Sequence, residues 1–182
     1  TGDGWDFTNN HLGVEGDWYM AGSARYPQLQ MQNTLAKTFG IKTVDDLQLI
    51  DIDLTGHYFL ANDIDASATS RWNYTDDINQ DSTADDPGYL GFSPIALITD
   101  SDPIGDTTFD GIPFTGVLDG RGYTVNNLWI DREYQHYVGL LSYTSGAIVK
   151  NIGLTDSTIL GRSYVGAITG YSGENSVANT VF

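Results

Sequence analysis

Apolar and polar positions alternate most clearly in "DIDLTGHYFLANDID", residues 51–65. Side chains of a strand point to opposite faces in turn, so this period-two pattern predicts a strand with one wet and one buried face. The helical signals lie just before it. In "KTVDDLQLI" (42–50), Thr43 stands as an N-cap with Asp46 three residues on, a capping box in which Asp replaces Glu. Asp45 and Asp46 suit the positive end of the helix dipole, and Leu47 and Ile50 face inward. "QLQMQNTLAKTF" (28–39) suggests a second helix with Leu29, Leu35 and Phe39 on one side. Residues 1–27 show no period, and Trp5, Phe7, Trp18 and Tyr26 are expected to pack as a lid. Residues 66–111 turn polar and read as long acidic surface loops around a short strand, Phe92–Ile98. From Phe114 onward short strands follow one another, punctuated by Gly, Asn and Asp.

The later strands repeat. "TVNNLWI" (124–130), "VKNIGL" (149–154) and "ANTVF" (178–182) align at Asn127, Asn151 and Asn179, which lie 24 and 28 residues apart. The flanking phrases "FTGVLDG", "YVGLLSY" and "YVGAITG" place Gly116, Gly139 and Gly166 at intervals of 23 and 27. "HYFLANDID" (57–65) resembles "GYTVNNLWID" (122–131), which suggests an earlier turn of the same kind. A period in the twenties predicts a solenoid whose coils stack at the strand spacing of about 4.8 Å. Val125, Val149 and Val177 would then form one inward stack, and Leu128 and Ile152 another. The three asparagines would form a ladder of amides, and the glycines would sit at bends where a Cβ would collide. Short strands with regular turns also describe a β-sandwich. The phrases match by residue type as well as by spacing, which favours the solenoid. The expected fold is therefore all-β: a parallel β-helix over residues 51–182, with a small helical and irregular N-terminal region over 1–50.

Composition narrows the partners. The formal net charge of −16 rests on 24 carboxylates against three Lys and five Arg. That disfavours nucleic acid and anionic membranes, which are bound through Lys and Arg. It suits salty surroundings, where screening relieves self-repulsion. Of the carboxylates 21 are Asp, the acid of turns and caps, and only Glu15, Glu133 and Glu174 are Glu. There is no Cys, so disulfides and thiolate metal sites are excluded. No apolar run approaches the roughly 18–20 residues of a membrane span. The chain begins at Thr1 without a signal-like segment, as expected of an excised or processed piece of a secreted protein.

Candidate chemistry is sparse. His11, His57 and His136 are isolated and no H-E-x-x-H occurs. "GYSGE" (170–174) misses the nucleophile elbow by one position. Asp51/Asp53 and Asp63/Asp65 would each share a strand face and can be read as acid and base of a glycosidase or lyase, though such pairs also mark an exposed strand face. The loop "NYTDDINQDSTADD" (73–86) offers Asp76, Asp77, Asp81 and Asp85, with Asp86 beside them, as oxygen ligands for calcium. It does not follow the EF-hand order, so a solvated acidic loop is the plainer reading. Asn73-Tyr-Thr75 is a formal N-glycosylation sequon. Exposed rings among Trp72, Tyr74, Tyr89, Tyr134 and Tyr137 would stack on sugars.

The phrases "LTGHYFLANDIDAS", "FSPI", "FTGVLDGRGYTVNNLWI" and "YVGLLSYTSGAIVKNIGLTDSTILGRSYVGAITGY" together resemble the GLUG-motif proteins. "YPQL" and "GWDF" look like the junctions between such units. These are large bacterial surface and secreted proteins, including adhesin-like polypeptides and non-catalytic regions of immunoglobulin-A-cleaving metallopeptidases. The resemblance covers roughly residues 43–182; the stretch 66–111 is longer and more Asp-rich than the family pattern. It implies a right-handed parallel β-helix with a passive extracellular role. The expected function is a structural or adhesive segment at the cell surface, associating with itself or with neighbouring repeats of a parent chain, or with surface glycans, and able to build a head-to-tail filament or stalk. A carbohydrate-active β-helix enzyme is the alternative.

Overall fold

The computed structural model describes residues 18–19, 28–29, 38–79, 83–97 and 111–181, of which 18–19, 28–29 and 178–181 are described by their backbone alone. The chain divides into two units, Thr1–Thr38 and Phe39–Phe182. In the first, β1 (Trp18–Tyr19) and β2 (Gln28–Leu29) pair antiparallel with Trp18 opposite Leu29. Gln28–Leu29 is thus strand where the apolar spacing predicts helix; the three-residue face is too weak to outweigh a partner strand. Trp5, Phe7 and Tyr26 lie outside the described residues.

The second unit starts with β3 (Thr38–Ile41) and the short helix α1 (Val44–Gln48), followed by a 3₁₀ turn, Leu49–Ile52. The capping box forms as the sequence predicts. Thr43 Oγ1 accepts from the Asp46 N–H at 3.1 Å, and the Asp46 carboxylate accepts from the N–H groups of Thr43 and Lys42. The Lys42 N–H is the chief reason that Asp46 stays below the usual carboxylate range. Val44, Leu47 and Ile50 are buried with Ile41 in the same core as the strands that follow. Residues 39–50 therefore belong with the strand-rich unit, and the division falls near residue 38 instead of residue 50.

The strands are β4 (His57–Leu60), β5 (Ile64–Asp65), β6 (Tyr74–Thr75), β7 (Gly88–Tyr89), β8 (Val117–Asp119), β9 (Thr124–Asn126), β10 (Trp129–Val138), β11 (Leu141–Thr144), β12 (Ile148–Thr155), β13 (Thr158–Val165), β14 (Thr169–Ser172) and β15 (Val177–Val181). Except for the β6–β7 hairpin, they pair in parallel between successive passes of the chain, residues 57–116, 117–147 and 148–176, with β15 following the third. β4, β8, β12 and β15 lie side by side, as do β5, β9 and the second half of β12. β10 pairs with β13, and β11 with β14. Paired residues are 27 to 31 positions apart between the later passes and 60 or 61 between the first two. The surplus of the first pass is the 66–113 excursion. It holds a 3₁₀ turn (Ser67–Arg71) and the β6–β7 hairpin, and it returns to bridge Ile95 to Leu141 and Phe114 to Thr144. Phe92 and Ile95 are fully buried, but they reach the core from irregular backbone and not from the strand expected over 92–98, whose last residue is not described.

The register sets the stacks. Tyr58, Leu118 and Val149 form one inward row, and Ile64, Val125 and Leu154 another. Val177 pairs with the exposed Ile148, so the expected row of three valines does not exist. The asparagine ladder needs the same correction. Asn179 lies opposite Lys150, whereas Asn127 follows the Asn126–Thr155 pair and so stands over Asp156. What Asn127 and Asn151 share is a left-handed backbone, φ 59° and 53°, and Asp156 has it too at 49°. Asn and Asp adopt this conformation more readily than other non-glycine residues. The repeated Asn marked a repeated corner geometry, and the alignment joined two different corners. Each amide still reaches the preceding pass, but it meets a carboxylate: Asn127 Nδ2 donates to Asp65 at 3.3 Å and Asn151 Nδ2 to Asp119 at 3.1 Å.

The glycine expectation survives in its physical content. A Cβ at Gly139 would lie 2.6 Å from the Gly166 carbonyl oxygen, and one at Gly116 would lie 2.1 Å from that of Gly56. Gly139→Ala should therefore lower stability by about 1–3 kcal/mol, the usual cost of overpacking. Gly146 has φ 68° with open space around it, and stands in register with Asn175 at φ 60°. Gly146→Asn should stay within about 0.5 kcal/mol of the parent. Urea unfolding midpoints of the two variants check both numbers.

Candidate functional site

Asp51, Asp53, Asp63 and Asp65 are tied into the backbone, as is Asp119, which the sequence did not mark. Asp53, Asp65 and Asp119 each accept the N–H two residues on, from Thr55, Ser67 and Arg121, at 2.9–3.1 Å. These are Asx turns, the local motif for which Asp is favoured over Glu. Asp63 accepts from Thr124 N–H at 2.8 Å and so fastens the first pass to the second. Asp51 is in the 3₁₀ turn rather than a strand, and it joins Gln48 to the Ala96 N–H. Loss of water around it holds its carboxyl above the usual range. Asp51/Asp53 therefore do not share a strand face; Asp63 and Asp65 are both exposed, each with its own backbone partner.

In the acidic loop, both oxygens of Asp86 accept backbone N–H groups, from Ile78 and Asn79, and the hydrogen bond to Asp76 holds the Tyr74 hydroxyl above its ordinary pKa. Asp77 bridges to Asp86 along the backbone. Asp81 lies outside the described residues. Among the described residues no three His, Asp or Glu groups converge as a metal site, Asp76, Asp77 and Asp85 included. Asn73 has φ 54° and its amide donates to the Gly91 carbonyl at 2.7 Å, closing the base of the hairpin. His57 is exposed, and His136 Nδ1 contacts Ser163 Oγ. His11 is not described. Arg132 is buried with neutral partners, the Phe92 carbonyl and the Gln135 side chain, and burial pushes its guanidinium down to about 10.

The feature that stands apart is aromatic. Tyr137 and Tyr164 stack at 4.8 Å with planes 4° apart, and Tyr143 and Tyr171 at 5.1 Å and 24°. The two pairs meet edge to face, with Tyr137 and Tyr171 rings 6.1 Å apart at 87°. β10, β11, β13 and β14 place them, because Tyr143 and Tyr171 are register partners and Tyr137 and Tyr164 each precede one of the paired Val138 and Val165. Tyr137 and Tyr164 have φ 58° and 53°, a left-handed backbone that costs a bulky residue on the order of 1 kcal/mol. A stacked pair returns about 0.5–1.5 kcal/mol beyond its buried area, which offsets part of that cost. Tyr164 and Tyr171 remain 42% and 41% exposed. Sequence reading singled out only Tyr137 of the four. The signal for the others was present in "YVGLLSY" and "YVGAITGY", which begin and end on Tyr at nearly equal spacing. Of the other expected rings, Tyr74 and Tyr89 make an exposed edge-to-face pair on the hairpin, Trp72 stacks on buried Phe92, and Tyr134 is exposed.

No protein-family model matches the chain, and no solved structure matches it. Over 136 residues, 71% of the chain, it is 38% identical to a halomucin from Haloquadratum walsbyi. The chain spans about 1% of that protein's length.

Lys150 and Asp119 make the one ion pair among the described residues, 3.3 Å apart across neighbouring passes. Partial burial works against the Asp119 charge, but the Arg121 N–H, the Asn151 amide and Lys150 outweigh it and hold the carboxyl below 3.8. A lowered carboxylate pKa contributes stability above the unfolded value and loses it as pH falls through the folded one. Asp119→Asn should thus cost about 0.2–1 kcal/mol at pH 7. The difference from the parent should shrink as pH falls below 3.8, which thermal unfolding at stepped pH measures.

Proposed function

We propose that the chain is a structural segment of a cell-surface or secreted protein, with each pass forming one winding of a right-handed parallel β-helix. The single observation behind this reading is the recurrence of whole positions, corner by corner, from one pass to the next. Asn127 and Asp156, Tyr137 and Tyr164, and Gly146 and Asn175 all take left-handed backbone at equivalent sites. Chance pairing of strands would not bring the corners into step as well. The right hand follows the rule for parallel crossovers and the resemblance to GLUG-motif proteins. The surface location draws on the 38% identity to a halomucin and on that same resemblance.

The role is passive. The aspartates that a polysaccharide hydrolase or lyase would use, Asp53, Asp63 and Asp65, are engaged in turns and links between passes, and the clustered exposed rings are tyrosines. Windings stacked in series make a stalk, and the Tyr137–Tyr171 cluster is a platform on its side for contact with sugars or neighbouring polypeptide. A screen of neutral and acidic polysaccharides for turnover should find none; cleavage of any would favour the enzyme reading.

The register is open to covalent test, since the chain has no Cys of its own. Asp131 and Leu160 are paired on β10 and β13. Neighbouring strands are about 4.8 Å apart, inside the range a disulfide bridges. Asp131→Cys with Leu160→Cys should oxidise readily. Asp131→Cys with Arg162→Cys, displaced by two residues, should not. The reverse result would remove the winding assignment. With a net charge of −16 and few cations, the fold should also gain from salt. Raising NaCl from 0.15 to 1 M shortens the Debye length from about 8 to about 3 Å. The melting temperature should rise by several degrees, and more than it does with an equal concentration of sucrose.

A further inference from the structure

The third pass is built like the second but is covered differently. Ile130 and Val138 are fully buried, while their register partners Ile159 and Val165 are, respectively, partly buried and 45% exposed. Leu141 is fully buried and its partner Thr169 is not. Tyr137 is nearly covered and Tyr164, which stacks on it, is open. Since the slots are the same, the difference comes from what lies beyond them. Among the described residues β13 has only β10 beside it and β14 only β11, so each presents an unpaired strand edge. Next to that edge is an open hollow of about 410 Å³, lined by Leu154, Asp156, Ser157, Ile159, Val165 and Ala167 among others. The apolar linings are interior positions of the winding that lack their next layer. At the other end of the stack, β3 lies along β4 and α1 contributes the buried Val44 and Leu47, so that end is closed. A second copy presenting its first winding would meet this cap instead of a matching edge.

β15 already runs parallel to β12, with Ala178 opposite Val149 and Val181 opposite Ile152. It occupies the place of the first strand of a fourth winding. The geometry points to the β13–β14 edge as the seat for the rest of that winding. Its occupant is a parallel strand–turn–strand segment following β15 in the same polypeptide, with apolar residues over Ile159 and Val165 and aromatic rings over Tyr164 and Tyr171. Backbone pairing would satisfy the two edges, and the apolar layer would fill the hollow. The inference rests on the solenoid reading and names what that solenoid stacks against.

The test uses the chain's own third winding as a donor. Because Val181 stands opposite Ile152, a copy of residues 154–173 joined after Phe182 runs in frame with the stack. Amide hydrogen exchange is then compared between the 182-residue chain and the extended one. Amides of Thr158–Val165 and Thr169–Ser172 should exchange at least tenfold more slowly in the extended protein, with those of α1 unchanged. An extension of the same composition in scrambled order should give no such protection. Val165→Asp, at a site already half in water, should leave the 182-residue chain folded and abolish the protection in the extended one. Equal exchange with and without the in-frame copy would overturn the inference. So would sedimentation of the 182-residue chain as a dimer with these amides already protected, which assigns the face to a second copy. If the cysteines at 131 and 160 link and the extension fails to protect, the solenoid stands and the docking falls. If they do not link, the solenoid itself falls.

Discussion

Parallel backbone pairing between successive passes, held at one strand spacing, is the constraint from which the other features follow. Two chains that lie this close leave no room for a Cβ at Gly116 or Gly139, where the opposing atom is a carbonyl oxygen and not a movable side chain. They also oblige each pass to turn at the same places. Several of those places demand left-handed backbone, and the residues found there are Asn, Asp, Gly and, at one corner, a stacked pair of tyrosines. Interior rows such as Tyr58–Leu118–Val149 are apolar because every pass offers the same slot to the same core.

Much of this was legible in the sequence, and the reasons differ by element. The capping box was readable because it is local: Thr43 and Asp46 need only each other's backbone. The existence of a repeat was readable because stacked slots select similar residues. Its phase was not. Asn127 and Asn151 share a backbone conformation at different corners, so an alignment on residue type slid the passes past one another. Two residues more or fewer at a corner are enough to blur a short Gly-rich phrase, and the passes do vary from 27 to 31. The tyrosine cluster was only partly visible. Its members are far apart in the chain, and what joins them is register, which composition does not carry.

The charge pattern has a similar logic. An acidic surface is often read as a ligand trap, and the Asp-rich loop and the paired aspartates invited that reading. In the fold Asp53, Asp65 and Asp119 accept the backbone N–H two residues on, at Thr55, Ser67 and Arg121, and Asp86 accepts those of Ile78 and Asn79. Asp suits this work because its carboxylate is one methylene from the backbone.

The first pass holds a further lesson. It leaves the stack after Asp65, passes through the β6–β7 hairpin, touches the second pass again at Ile95, and pairs with it once more from Phe114 and Val117 with the later strands still aligned. Such a detour is inexpensive in loop-closure entropy, which grows only slowly with length. A parallel stack of this sort tolerates a long insertion within one pass while its strand pairs keep their register. Residues can then be added to or taken from the detour while the pairing of β4 with β8 and of β5 with β9 stays in register.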